Sequence, residues 1–115
     1  MSPTVPMLVL VAREAGLRSA LVARLSMAGG DIVTVDNLDD PRVDRWLAHA
    51  PVLIIDEGAL AARAGGEAAL RADPRWRAIA VIGGYAEEGG VPRIASADAA
   101  AILEAMLPEW GYPER

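Results

Sequence analysis

Apolar residues along this chain fall into short unbroken runs separated by stripes at helical spacing. Met7-Leu-Val-Leu-Val11, Val52-Leu-Ile-Ile55 and Ile79-Ala-Val-Ile82 carry no polar alternation, the pattern of strands buried on both faces of a parallel sheet. Asp31-Ile-Val-Thr-Val-Asp36 reads as a further strand closed by Asn37. Val91-Pro92-Arg93-Ile94 is a weak last strand, moved towards an edge by a proline that cannot donate to a ladder. Between the runs, Leu17, Leu21, Val22 and Leu25 predict a helix stopped by Gly29-Gly30. Asp40-Pro41 supplies an N-cap and a first-turn proline for a short helix reaching about Ala50, with Val43, Trp46 and Leu47 on one face. Gly65-Gly66 divides residues 59–72 into a first turn and a helix proper, Glu67 to Ala72, which Asp73-Pro74 ends. A last helix, capped by Ser96 or Asp98, carries the stripe Ile102, Leu103, Met106 and Leu107 and stops at Pro108.

Strands alternating with helices predict right-handed crossovers and a parallel sheet. The expected fold is α/β: a flavodoxin-like, five-stranded parallel sheet with helices on both faces. About eight residues separate strands four and five, against the dozen or more that a parallel crossover usually needs. The fourth helix, which belongs in that crossover, is therefore expected to be shortened or missing. At 115 residues the chain is long enough for one self-sufficient domain. It is placed at residues 1–108, with 109–115 a C-terminal tail or linker in which Trp110 and Tyr112 either fold back or lead onwards.

Composition narrows the chemistry. A net charge of −5 argues against a nucleic-acid surface. The longest apolar runs are far too short to span a bilayer, and no basic segment of a signal peptide precedes Met7. Cysteine is absent, which excludes disulfides and thiolate metal sites and fits a reducing, cytoplasmic setting. The single His49 excludes multi-histidine metal sites and offers no neighbour for nucleophilic catalysis, so an enzyme is not expected. Asp56 remains. It follows the central apolar run, at the strand end where open α/β sheets place their ligand crevice. Its plainer reading is a cap on the turn after a core strand.

In order and spacing, four stretches carry a resemblance: Met7-Leu-Val-Leu-Val11, the helix ending Met27-Ala-Gly29, Val52-Leu-Ile-Ile-Asp56, and Leu70-Arg-Ala-Asp-Pro-Arg-Trp-Arg-Ala-Ile79-Ala-Val-Ile82. Over nearly its whole length the chain resembles a response-regulator receiver domain. The resemblance puts Asp56 at the family's phosphoacceptor position and then breaks. Where the family has a magnesium-binding acidic pair after strand one, Ala12 and Arg13 stand, followed by Glu14. The family's serine or threonine after strand four corresponds to Gly83, its strand-five lysine to Arg93, and the proline after that lysine to Ile94. A hard cation needs several oxygen ligands, and arginine keeps the charge without the compact ammonium. The expectation is a degenerate pseudo-receiver that takes no phosphate and no magnesium. Arg13 is expected where the metal would sit, paired with Asp56 or Glu57 and stabilising the Asp56 anion; the alternative is that it points to solvent.

The resemblance implies a regulatory module of a two-component signalling protein, such as a hybrid histidine kinase. It would act by docking or autoinhibition on a kinase, another receiver or an output domain. A second reading uses Arg71, Tyr85, Pro92 and Arg93, with Arg75 and Arg77 nearby, as a site for cyclic di-GMP, since a ring stacks on a base and guanidinium forks bind phosphate. The plain alternative is solvated arginines and a packed tyrosine. A third reading is a weak phosphoacceptor at Asp56 with Glu14 as the lone metal ligand. Trp46 and Trp76 need only a role in packing helices on the sheet.

Overall fold

The structure, a computed structural model, describes residues 5–84, 90–91 and 93–113. Five parallel strands form one sheet in the order β2-β1-β3-β4-β5. They are β1 (Leu8–Val11), β2 (Ile32–Thr34), β3 (Val52–Asp56), β4 (Ala78–Ile82) and β5 (Arg93–Ile94). This is the flavodoxin-like strand order, in which the chain reverses its direction of winding between β1 and β3. The second strand is shorter than the run Asp31–Asp36 suggests, although Val35 is still buried and still donates its backbone N–H to Leu10 O at 3.1 Å.

The absence of alternation in β1 and β3 has a direct cause. Leu8, Leu10, Val52 and Ile54 point into one core layer, whereas Val9, Val11, Leu53 and Ile55 point into the other. All eight are almost wholly buried. The first layer is closed by α1 (Ala15–Met27) through Leu21 and Leu25 and by α5 (Ala99–Met106) through Ala99 and Leu103. The second is closed by α2 (Pro41–Leu47), α3 (Glu57–Ala61) and α4 (Gly66–Arg71) through Val43, Leu47, Leu60 and Leu70, with Trp76 beside them. Trp46 packs against the same layer and also receives the Arg42 guanidinium 5.5 Å from its ring centre.

Turn chemistry sets the helix limits. Asp40 caps α2 by accepting the Arg42 N–H at 2.9 Å, with Pro41 at the first helical position. The division at Gly65-Gly66 is present, and Gly65 enters α4 at a φ of 82° that other residues rarely adopt. Asp98 stands at the N-cap of α5, but neither it nor Ser96 makes a capping side-chain bond; a 3₁₀ turn over Ser96–Asp98 leads in.

In the connection from β4 to β5, none of the described residues is helical. Tyr85 and Pro92 lie outside the described residues. At the other end, the boundary expected at residue 108 does not coincide with the edge of the core. A 3₁₀ turn over Leu107–Trp110 carries Trp110 and Tyr112 into the first layer, where both are buried. The Tyr112 hydroxyl donates to Pro6 O and accepts from the Asp31 N–H, so residues 107–112 clamp the start of the chain to the turn before β2. No helix among the described residues is long and apolar enough to cross a membrane.

Candidate functional site

The carboxyl ends of β1, β3 and β4 bring most of the expected site residues together. Asp56 ends β3 with only 9% of its surface exposed. Both of its carboxylate oxygens are occupied by main chain. Oδ1 accepts the Ala59 N–H at 2.8 Å and so caps α3, and Oδ2 accepts the Arg13 N–H at 2.6 Å. The carboxylate thus ties the turn after β1 to the turn after β3. A buried anion needs such donors, and bonds from N–H to a carboxylate are the stronger kind.

Arg13 therefore meets Asp56, but through its backbone. The expected guanidinium pair with Asp56 or Glu57 is not formed among the described residues, and the Arg13 side chain is exposed. It runs along Gly58, where an added Cβ would come 3.4 Å from Arg13 Cδ. The cause is local: the turn after β1 points the Arg13 N–H inward, which turns its side chain outward over α3. Ala12, the neighbouring position of the missing acidic pair, is buried, and its carbonyl accepts from Arg18 Nη1 at 3.0 Å. Glu14 precedes α1 without capping it and lies over Gly16. No group of three carboxylate, histidine or cysteine side chains converges among the described residues.

Gly83, after β4, holds a φ of 84° and Gly84 one of 72°. Glu57 fills the space above them: a Cβ on Gly84 would stand 3.1 Å from Glu57 Cδ, and one on Gly83 would stand 3.5 Å from Glu57 Oε2. A serine or threonine at residue 83 would meet both a strained backbone and a carboxylate.

Arg93 and Arg71 are brought together by Glu67, which no sequence motif marks. Glu67, on α4, lies 3.0 Å from Arg93 Nη2, with both side chains largely buried, and 4.0 Å from Arg71 Nη1. Its Oε2 also accepts the Val91 N–H at 3.4 Å. The signal available in sequence was the spacing of Glu67 and Arg71, four apart on one helix; nothing local links Glu67 to Arg93. Arg75 is held by Asp73 at 2.8 Å instead of joining this cluster.

No protein-family model, no curated protein and no solved structure matches this chain.

Proposed function

We propose that the chain is a pseudo-receiver: a regulatory module of a two-component signalling protein that acts by docking, without phosphorylation and without catalysis of its own. The observation that carries this reading is the occupation of Asp56. A phosphoacceptor carboxylate attacks through an oxygen lone pair beside a hard cation, and here each oxygen already accepts a backbone N–H, which holds its charge and weakens it as a nucleophile. The Glu57 carboxylate over Gly83 and Gly84 adds a negative charge where an incoming phosphoryl group would lie. The flavodoxin-like strand order and the spacing of the four stretches in the sequence support the receiver resemblance. The edge strand β5 with α5 beside it is the docking face of this proposal, and the partner is a kinase, receiver or output domain of a cytoplasmic signalling protein.

The test has two arms. Acetyl phosphate with magnesium is expected to add no phosphoryl group to the intact chain by mass spectrometry. Amide spectra with the catalytic core of a candidate partner histidine kinase are expected to shift at Ile94 and along α5, equally with and without acetyl phosphate. A phosphoryl adduct on Asp56 that alters docking would establish the weak phosphoacceptor instead.

One observation favours the cyclic di-GMP reading as a second function: Glu67 gathers Arg71 and Arg93 at one carboxylate. A ligand phosphate would have to replace that carboxylate. Glu67→Gln is therefore expected to tighten calorimetric binding of cyclic di-GMP, and no heat from either protein removes this ligand.

A further inference from the structure

A crevice opens on the other side of Asp56, at the carboxyl ends of β1 and β3 where the winding reverses. Its volume is about 360 Å³, with Val11 and Ile55 at its floor and Arg13, Arg63, Asp36 and Asp39 on its walls. Open α/β sheets bind ligands at this place because strand ends and loops diverge there, and the size suits a small metabolite.

Arg63 is the unusual group. Its Nε is buried without a hydrogen-bond partner among the described residues, and its guanidinium forms no ion pair there. It stands between this crevice and a second cavity of about 270 Å³. Asp73 feels its charge only slightly: that carboxyl is held below its ordinary range first by hydrogen bonds from Arg75 and least by Arg63. Arg75 already occupies both Asp73 oxygens, at 2.9 and 2.8 Å. The unmatched Nε is costly and screened from solvent, so an anion in the crevice would meet the outer guanidinium nitrogens of Arg63, which lines the wall. Arg13, exposed and unpaired among the described residues, adds a second fork to the same space. Asp36 and Asp39, from the turn after β2, add two acceptors that make no ion pair with an arginine among the described residues; Arg42 is taken by Asp40 at 2.8 Å. Two cations and two carboxylates balance, so a bare multivalent anion gains little. A ligand that carries an anion at one end and hydroxyl donors at the other satisfies all four.

We propose that this crevice binds a ribose-phosphate group, either free as a sugar phosphate or within a mononucleotide, with Arg63 and Arg13 on the phosphate and Asp36 and Asp39 accepting from the hydroxyls. The site is separate from the β5 edge and stands whether or not the domain docks there.

The test titrates the intact chain with ribose 5-phosphate, adenosine monophosphate and inorganic phosphate, each followed by amide resonances. Ribose 5-phosphate or the mononucleotide is expected to shift Arg13, Asn37 to Asp39 and Ala62 to Ala64 at millimolar concentration or below. Whichever binds tighter identifies the source of the group. Arg63→Ala is expected to weaken binding by about tenfold or more, and Arg63→Lys, which keeps the charge without the fork, by less. Asp36→Asn with Asp39→Asn is expected to erase the preference over inorganic phosphate, and Arg93→Ala to leave binding unchanged. Scattered shifts with no focus on the crevice, equal binding of inorganic phosphate by the parent chain, or full binding by a folded Arg63→Lys and Arg63→Ala pair would each overturn the proposal.

Discussion

Two carboxylates, Asp56 and Glu67, anchor the two halves of the sheet's carboxyl end by different chemistry. Asp56 takes both hydrogen bonds from main-chain N–H groups of Arg13 and Ala59. Glu67 is held mainly by arginine side chains, Arg93 closely and Arg71 at longer range. Short of a proline, no substitution removes a backbone donor, so the Asp56 junction depends on one side chain alone. The Glu67 junction depends on side chains at both ends, and either end is replaceable. The first arrangement fixes two loops to one carboxylate. The second joins a helix to an edge strand through side chains alone.

The sharpest way to break this contrast is Asp56→Ala. It orphans two N–H groups and removes the α3 cap, so urea unfolding is expected to show a loss of about 3 kcal/mol. Asp56→Asn keeps one acceptor and is expected to lose about half that. Near-parent stability of Asp56→Ala would mean that the aspartate does not clip the two turns together.

Glu67→Ala comes next. It removes the Glu67 carboxylate from a largely buried Arg93, at an expected cost of about 2 kcal/mol. Replacing Glu67 and Arg93 together by methionine is expected to return within about 1 kcal/mol of the parent, because apolar pairs commonly substitute for buried ion pairs. No paired replacement of this kind exists for Asp56, whose partners are peptide groups. Chemical denaturation of the three proteins separates the two cases.

The same contrast explains what could be read from the chain. Runs such as Leu8–Val11 and Val52–Asp56 are legible because burial on both faces demands apolar residues at every position. Asp56 as a turn cap was legible as well, since a carboxylate after a strand and three residues before an N–H is a local pattern. The role of Arg13 was not legible. Residue type announces a guanidinium, whereas the contact that matters is made by a backbone N–H, which every residue except proline carries. Glu67 with Arg93 joins α4 to an edge strand across a change of element, with no periodicity to mark it. Arg63 was invisible for a related reason: a missing partner is a property of the packed fold. Trp110 and Tyr112 followed a proline that ends the helix, yet the 3₁₀ turn brings both back to the core.

Tyr112 tests a third kind of junction, neutral and between chain ends. Its hydroxyl bonds Pro6 O and the Asp31 N–H, and Tyr112→Phe is expected to cost about 1 kcal/mol at neutral pH. Burial raises its pKa above the ordinary 10.0, so the folded chain holds the phenolic proton more tightly than the unfolded one. This contribution is complete below about pH 10 and is lost as pH rises through the folded value. Stability measured against pH should fall on the alkaline side for the parent and fall less for Tyr112→Phe.

The smallest effect belongs to carboxylates that combine both chemistries. Asp40-Pro41-Arg42 and Asp73-Pro74-Arg75 repeat one device: the aspartate accepts the arginine's backbone N–H, at 2.9 and 3.0 Å, and its guanidinium as well. The Arg42 side-chain hydrogen bond, then its backbone N–H, lowers the Asp40 pKa to about 2. Arg75 acts in the same order to lower Asp73. Since each folded value lies below the ordinary 3.8, each contribution is present above that pH and is lost as the solution is acidified through the folded value. Both devices stand near solvent, where salt weakens the guanidinium part and long side chains move. Carboxyl resonances followed through an acid titration should show both depressions at low salt and a smaller pair at high salt. A depression that salt leaves unchanged would assign the whole effect to the backbone N–H, and these two turns would then belong with Asp56.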